Sequence, residues 1–439
     1  MIRAWSTALL LVVCGAVGCQ PGAARAQEPA PPAESASARR IALDEALRRV
    51  EAGNLELRLA RSEVAAAEAR VLAAGTVANP GLSASREQLS DEDSDYHETT
   101  LTLGQVVEIG GKRGARREAA RRLLEAAHSR LRAERTRIAF AVHRAYVEAA
   151  VAEANLSIID EATQVVRRVE QSGGVRFAEG DISRFDRSRL QVERARYETL
   201  LARTRLNLDE ASRELALLVA PVAAEGETAL LPADPLATLT VAEGALTLEA
   251  ALGAALERPE VRAAGSEVEA ARASLSLSRR ARVPDLTVSG GYKRQADGLH
   301  GAVVGLSLPV PLWNRNQGEI AAAEAEIEAA LARQDLAVAR ARHEIRRAWE
   351  THRSLQERMR GLGEVLVPES AGLLETARLS YAEGEMSLLE LLDAADAYRS
   401  ARESVNRLLG DYLVSLYDLR RATGTLHAPA SAPIDAPTR

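Results

Sequence analysis

The chain has 439 residues, which is long enough for two or three ordinary domains, yet only 3% of them are aromatic. Ala, Leu, Arg and Glu dominate instead, a composition typical of long helices and coiled coils rather than of a compact enzyme. The formal net charge of −6, with Arg and Glu interleaved throughout, excludes the extended basic face that nucleic-acid binding requires.

The N-terminus has the pattern of a secretory signal, in which Arg3 precedes the apolar run 8–13 and a series of small residues. Two processing sites remain open. A signal peptide spanning 1–26 would be cleaved after Ala24-Arg25-Ala26. Alternatively, Ala16-Val17-Gly18-Cys19 resembles a bacterial lipobox, which would limit the signal to 1–18 and make Cys19 the lipidated N-terminus.

A repeat with a fixed offset of 204 residues runs along the chain. Phe177-Ala-Glu-Gly-Asp-Ile-Ser-Arg-Phe-Asp186 aligns with Tyr381-Ala-Glu-Gly-Glu-Met-Ser-Leu-Leu-Glu390, and Asn79-Pro80-Gly81-Leu82 aligns with Val283-Pro284-Asp285-Leu286. A fixed period of this length predicts a duplicated half. The predicted organisation is a flexible tether at 27–40, a first half at 41–222, a linker at 223–244, a second half at 245–424 and a disordered tail at 425–439.

Each half contains two segments in which apolar and polar residues alternate, and this pattern predicts a strand hairpin. The hairpins are predicted at about 80–109 and about 284–311. Strands of about 9–12 residues with one polar face suit a membrane barrel whose lumen holds water. No segment after the signal reaches the roughly 20 apolar residues of a transmembrane helix, so a membrane-spanning part would consist of strands.

The longest predicted elements are helices. Apolar residues with heptad spacing form a seam over three heptads: Ile138, Val142, Ala145, Ala149, Ala152, Leu156 and Ile159. A helix over 113–176 would be about 95 Å long at a rise of about 1.5 Å per residue. Its counterpart is predicted over 319–380, where Pro368 is expected to kink or interrupt it. The remaining predicted helices are 43–76 and, after tip turns at about 177–183 and about 381–387, the return helices 182–219 and 387–423.

Four strands in one chain cannot close a barrel. An open sheet edge in lipid leaves backbone groups without hydrogen bonds, at a cost of several kcal/mol each. Oligomerisation removes the open edges. A barrel of eight strands or fewer is filled by its own side chains, so a channel requires more than two chains.

Three motifs fall in order on the duplicated framework. Two of them mark the passage from strand to long helix: Leu101-Thr-Leu-Gly-Gln-Val-Val-Glu-Ile-Gly-Gly-Lys-Arg113 and Leu308-Pro-Val-Pro-Leu-Trp-Asn-Arg-Asn-Gln-Gly318. The third is the turn at 381–393. From about 41 to 424 the chain resembles TolC-type outer-membrane efflux proteins, and more narrowly the CzcC group that serves heavy-metal efflux pumps.

The resemblance implies a mainly α, TolC-like fold with a β part. In that fold a homotrimer joins four strands per chain into a 12-stranded outer-membrane β-barrel, and coiled-coil helices form a periplasmic α-barrel. It also implies a passive exit duct in the outer membrane of a Gram-negative bacterium. The implied partners are outer-membrane lipid, a periplasmic membrane-fusion adaptor and an inner-membrane RND-type pump, and the implied cargo is heavy-metal cations.

Two sets of residues match functional positions of the resembled family. The helix–turn–helix tips, which narrow the periplasmic end and meet the adaptor, correspond to Gly180, Asp181, Ile182, Ser183, Gly384, Glu385, Met386 and Ser387. The constricting carboxylate ring of the periplasmic gate corresponds to Glu390 and Asp393, with Asp396 one turn further on and Asp186 at the equivalent place in the first half. An i, i+3 spacing places Glu390 and Asp393 on one helix face.

The sequence offers no arrangement of residues for catalysis, cofactor binding or a high-affinity metal site. The seven His are scattered, and both Cys lie in the N-terminal segment, so the mature chain has at most one Cys. Two other functions stay open: a periplasmic coiled-coil scaffold without a pore and, within the resembled family, a duct for drugs or for type I secretion.

Overall fold

The structure, a computed structural model, describes residues 39–91, 94–219, 229–239 and 246–426, with the backbone alone at 91, 94 and 362–371. The helices of this described part are α1 Leu43–Gly53, α2 Leu55–Ala74, α3 Lys112–Glu179, α4 Arg184–Val219, α5 Leu248–Gly253, α6 Pro259–Arg280, α7 Gln317–Glu383 and α8 Leu388–Ala422. Its strands are β1 Arg39–Ile41, β2 Gly81–Asp91, β3 Ser94–Val107, β4 Leu230–Pro232, β5 Leu286–Gln295 and β6 His300–Ser307.

The two long helices dominate the fold. α3 has 68 residues and α7 has 67, so each extends about 100 Å at a rise of about 1.5 Å per residue. α7 continues through Pro368 without a break, so an interruption there is not found. A proline removes one backbone hydrogen bond of the helix. α7 packs against α8 on both sides of that position, through Ile345 before it and Leu374 after it.

Small apolar residues form the helix interfaces. In the predicted seam of α3, Ile138, Val142, Ala145, Ala149 and Ile159 are buried, whereas Ala152 and Leu156 are half-buried. The first-half core joins this seam to α1, α4 and β4, and a second core joins α5, α6, α7 and α8. Because Ala has a short side chain, facing helices approach closely, and long charged side chains remain on the outside.

Four strands form one antiparallel sheet in the order β2-β3-β5-β6, so the two predicted hairpins lie side by side. Ser83 lies opposite Thr102 in the first hairpin, Val107 opposite Leu286 between the hairpins, and Thr287 opposite Ser307 in the second. One face is apolar and exposed: Leu82, Leu101, Leu103, Val288, Tyr292, Val304 and Leu306. The opposite face is polar. There Lys293 Nζ lies 2.5 Å from Glu98 Oε1, and Ser83 and Thr102 hydroxyls are 2.6 Å apart.

The passage from β3 to α3 is anchored to the second half. Gly110 and Gly111 have φ of 78° and 73°, in the left-handed region that glycine adopts without strain. Arg280 Nη1 donates to the Gly110 carbonyl at 3.1 Å, and Lys112 Nζ lies 2.7 Å from Asp285 Oδ1. Thus the segment after β3 is held against the segment that precedes β5.

Two local elements differ from the sequence prediction. The helix predicted at 43–76 is divided at Asn54, whose side chain accepts hydrogen bonds from the Glu56 and Leu57 amides and starts a new helix. The parallel pair β1–β4 was not predicted, because three-residue strands have no measurable periodicity. It places Arg39 and Arg40 of the predicted tether, and residues 230–232 of the predicted linker, in regular structure.

The first two residues of the predicted tail, Thr425 and Leu426, lie in ordered structure. The Thr425 amide donates to the Arg420 carbonyl at 2.8 Å, and Leu426 is buried. The signal and its cleavage sites with Cys19, tether residues 27–38, linker residues 223–228 and 240–244, and tail residues 427–439 lie outside the described residues.

Within the described ranges, none of the helices combines the length and apolar character needed to cross a membrane.

Candidate functional site

The two tips are built in the same way at equivalent positions of the repeat. α3 ends at Gly180 with φ 87°, and α7 ends at Gly384 with φ 82°. The Asp181 amide donates to the Arg176 carbonyl at 2.8 Å, and the Glu385 amide donates to the Ser380 carbonyl at 2.9 Å. A left-handed glycine with this 6→1 hydrogen bond is a Schellman motif, which ends the helix and reverses the chain.

Each return helix begins with a capping box. The Ser387 amide and hydroxyl donate to Glu390 Oε2 at 2.8 and 2.7 Å, and the Glu390 amide donates to Ser387 Oγ at 3.3 Å. Ser183 and Asp186 make the same three bonds at 3.3, 2.7 and 3.1 Å. Two of the four predicted gate carboxylates therefore have a local structural role in the protomer, because they complete helix N-termini.

The capping box affects the charge of Glu390. The hydrogen bonds from the Ser387 amide and hydroxyl lower the pKa of the Glu390 carboxyl, because they stabilise its ionised form. A lowered pKa in the folded state means that this cap is fully formed above the ordinary pKa of a glutamate. Its contribution to stability is lost as the pH falls through the lowered value.

The other two predicted gate carboxylates differ from each other. Asp396 Oδ1 lies 2.9 Å from Arg399 Nη2 and 3.6 Å from Arg196 Nη2, so its charge is neutralised within the protomer. Asp393 is exposed, and no ion pair or side-chain hydrogen bond among the described residues involves it. Asp393 is thus the gate candidate whose carboxylate remains available.

The two tips share one apolar core. Ile158, Leu190, Leu391 and Tyr398 are buried there, and Ile182 and Met386 pack against the cluster. The Tyr398 hydroxyl donates to Glu161 Oε2 at 2.7 Å, and burial, followed by that carboxylate, raises the Tyr398 pKa to about 12. Ile182 and Met386, both predicted docking residues, are therefore partly used in holding the turns onto the helix bundle.

Sequence reasoning missed the apolar side chains that the tips expose. Phe185 is 71% exposed and Leu389 is 46% exposed. They occupy equivalent places in the repeat, between the capping Ser and the capping carboxylate. That equivalence was the available signal, since both residues lie inside the aligned motif.

The tips differ in charge. Residues 179–189 contain three acidic residues and three Arg, whereas residues 383–393 contain four acidic residues and no basic residue. The Arg187 guanidinium also lies 4.6 Å from the centre of the Phe177 ring. The repeat counterpart of Arg187 is Leu391, and the Tyr381 ring is instead 6.0 Å from the guanidinium of Arg176, which belongs to the first half. The second tip is accordingly the more attractive to cations.

The described residues contain no group of three or more His, Cys, Asp or Glu side chains placed to hold a metal ion.

A sequence model described as "Outer membrane efflux protein" matches residues 46–220 and 252–425, which include both hairpins and both tips. The chain belongs to the outer membrane efflux protein family. The match in two parts coincides with the two copies of helix, hairpin, long helix and return helix.

Relatives in this family are resistance proteins. The cobalt-zinc-cadmium resistance protein CzcC of Cupriavidus metallidurans is 27% identical over 390 residues, which cover 88% of this chain and 90% of that protein. The nickel-cobalt-cadmium resistance protein NccC of Alcaligenes xylosoxydans xylosoxydans is 30% identical over 274 residues, which cover 60% of this chain and 59% of that protein.

Solved structures confirm the TolC-like fold. A membrane protein from Pseudomonas aeruginosa superposes with a TM-score of 0.74 at 19% identity, covering 87% of this chain and 92% of that chain. CusC superposes with a TM-score of 0.70 at 20% identity, covering 91% of this chain and 98% of that chain. VceC from Vibrio cholerae superposes with a TM-score of 0.67 at 23% identity, covering 87% of this chain and 96% of that chain.

As a member of the outer membrane efflux protein family, the protein is an outer-membrane efflux channel with a long periplasmic extension. The alternative of a periplasmic scaffold without a pore is thereby set aside. Proteins of this family are channels and not enzymes.

Proposed function

We propose that the protein is the exit duct of a tripartite efflux system for heavy-metal cations. Three copies would join their sheets into one 12-stranded barrel and continue it as a periplasmic α-barrel. A periplasmic membrane-fusion adaptor and an inner-membrane RND-type pump would drive export, since a passive duct supplies no energy of its own. The eight tip residues from Gly180 to Ser183 and from Gly384 to Ser387 would form the adaptor-facing end.

The open sheet supports the trimer. β2 and β6 are the edge strands of a sheet whose outer face is apolar. In lipid, an edge without a partner leaves each backbone group unsatisfied at a cost of several kcal/mol. Further copies satisfy both edges, and three copies give a barrel wide enough for a water-filled lumen.

The negative charge of the second tip is the observation that supports cations as the cargo. Its four carboxylates, without a basic residue between 383 and 393, would be repeated three times around the channel axis. A ring of carboxylates favours cations. The resistance named in CzcC and NccC, to cobalt, zinc, cadmium or nickel, agrees with that preference.

Growth with metals tests the cargo. In a strain that lacks this gene but keeps its pump and adaptor, the wild-type chain is expected to restore tolerance to Co²⁺, Zn²⁺, Cd²⁺ or Ni²⁺. Tolerance to a panel of lipophilic drugs should stay unchanged. Restored drug tolerance without restored metal tolerance would instead assign the duct to drug efflux.

Within the duct, we assign the selective carboxylate ring to Asp393. Asp186 and Glu390 have capping partners and Asp396 is ion-paired, so, of the four gate candidates, Asp393 is the one without a side-chain contact to the described residues. Three copies around the axis would repel one another and attract cations.

Two matched variants test this ring. Asp393→Ala should raise single-channel conductance in planar bilayers and lower the permeability ratio of cations to anions. Glu390→Gln should change both quantities less, because the Glu390 carboxylate is held at the N-terminus of its own helix and Gln at this position keeps the capping box. An unchanged Asp393→Ala channel, or an equal effect of Glu390→Gln, would remove Asp393 from this role.

A further inference from the structure

The segment that follows β6 is apolar and has no strand partner among the described residues of the protomer. β6 ends at Ser307, opposite Thr287, close to the first residue of β5. Leu308 and Val310 beyond it are exposed, Val310 at 71%. The Leu312 amide donates to the Val310 carbonyl at 2.9 Å, so the chain turns only after Val310.

The equivalent segment in the first half does have a partner. Ser83 and Thr287 are equivalent at the 204-residue offset, and their partners are Thr102 and Ser307, so Thr102 corresponds to Ser307. Gln105 then corresponds to Val310. In the structure β3 continues past the end of its β2 partner, and Gln105 lies opposite Val288 of β5.

The same continuation for β6 requires a second β2, because Ala84 is the first-half equivalent of Val288. We propose that residues 308–310 extend β6 and pair with β2 of a second copy of the chain, with Val310 opposite Ala84 of the partner subunit. The same register places Leu308 opposite Arg86 of the partner subunit. The proposal rests on the proposed trimeric duct and specifies how its protomers join.

Three features of the chain fit this register. Strand directions agree, since β6 ends and β2 begins at the same end of the sheet, which makes the new pair antiparallel. Faces agree as well: Leu306 and Leu82 lie on the exposed apolar face, and residues two apart share a face. Leu306 and Val310 of one protomer therefore share a face with Leu82 of the partner subunit.

Pro309 supplies the third feature. In a β-strand, alternate residues direct their amides to opposite edges. Leu308 and Val310 therefore donate on one edge, whereas Pro309, which has no amide hydrogen, leaves the other edge without a donor. A strand with this pattern can form one complete ladder but not two. One ladder is all that is required, because β5 begins at Leu286 and provides no residues opposite 309 and 310.

Disulfide trapping tests the register in the full chain, whose two native Cys, Cys14 and Cys19, are far from the sheet in sequence, and Cys19 is lipidated if it is retained. The doubly substituted chains Val310→Cys with Ala84→Cys, and Leu308→Cys with Arg86→Cys, should oxidise to covalent trimers. The shifted pairs Val310→Cys with Leu82→Cys, and Val310→Cys with Arg86→Cys, should lose this product. Directly opposite Cβ atoms are about 4.5–5.5 Å apart, whereas diagonal neighbours are about 7–8 Å apart.

The outcomes separate this pairing from the duct itself. Trapping by a shifted pair overturns the register while leaving the trimer in place. Recovery of native trimers that no pair can trap overturns the pairing and indicates that 308–310 face lipid. Absence of any trimer in wild-type outer membranes overturns both proposals.

Hydrogen exchange gives a second measurement that needs no substitution. In the wild-type assembly the amides of Leu308 and Val310 should exchange as slowly as those of Gln105 and Val107. Exchange as fast as in a solvent-exposed loop would contradict the pairing.

Discussion

Replacing Val304 with Arg is expected to prevent stable assembly of the protein in the outer membrane. Val304 is 84% exposed on the apolar face of the sheet, where lipid would contact it. An Arg on the lipid face near the middle of a bilayer costs about 2–4 kcal/mol in a membrane barrel, and each protomer of the assembly would bear that cost. The measurement is the fraction of the chain recovered from outer membranes as a heat-modifiable oligomer.

Val303→Arg is the matched control. It makes the same substitution one residue away, on the opposite, polar face of the sheet, where Val303 lies opposite Gly291. A charge on that side meets water in the lumen and should be tolerated. Equal recovery of both variants would contradict the assignment of the apolar face to lipid.

Periodicity made the hairpins and the long helices predictable. Alternation placed Val288 and Val304 on the faces that the structure shows, because a strand with one buried or lipid-facing side has a period of two. The heptad seam from Ile138 to Ile159 likewise identified the buried side of α3. Sheet order was not predictable in this way, since the β3–β5 pairing joins residues from 179 positions apart (Val107 and Leu286) to 197 positions apart (Glu98 and Gln295) and leaves no local pattern.

Helix boundaries are where the structure departs from the pattern of the sequence. Asn54 ends one helix and caps the next, a role that a helical apolar pattern through 43–76 conceals. At Pro368 the outcome is the opposite: the helix continues where the sequence predicts a kink or an interruption. Packing along α8 outweighs the loss of one hydrogen bond there. Local residue preferences and tertiary contacts thus compete, and the pattern alone does not reveal which prevails.

The candidate site was predictable in position but not in the roles of its side chains. The repeat located both tips, and Gly180 and Gly384 end their helices there. The i, i+3 spacing of Glu390 and Asp393 suggested two equal gate carboxylates. However, Ser387 lies three residues before Glu390, and the same sequence is a capping box that holds the Glu390 carboxylate.

The double variant Phe185→Glu, Leu389→Glu is expected to abolish metal tolerance while leaving assembly in the outer membrane intact. Both apolar side chains are exposed at the tips, where the proposed adaptor would cover them. Burial of one such side chain contributes about 1.5–3 kcal/mol, and six would be buried in a trimer. A carboxylate enclosed in the same contact would have no partner and would weaken docking further. Tolerance to Co²⁺, Zn²⁺, Cd²⁺ or Ni²⁺ should fall to that of the strain without the gene.

Val192→Glu is the control for added negative charge. Val192 is 65% exposed on α4, about two turns beyond Phe185, and its repeat equivalent is Asp396, so this position accepts a carboxylate in the second half. Val192→Glu should keep wild-type tolerance. Adaptor cross-linking in cells should be lost only in the double variant, because the loss concerns docking and not the channel. If the double variant kept full tolerance, or if Val192→Glu lost it equally, the exposed apolar pair would not be the docking surface.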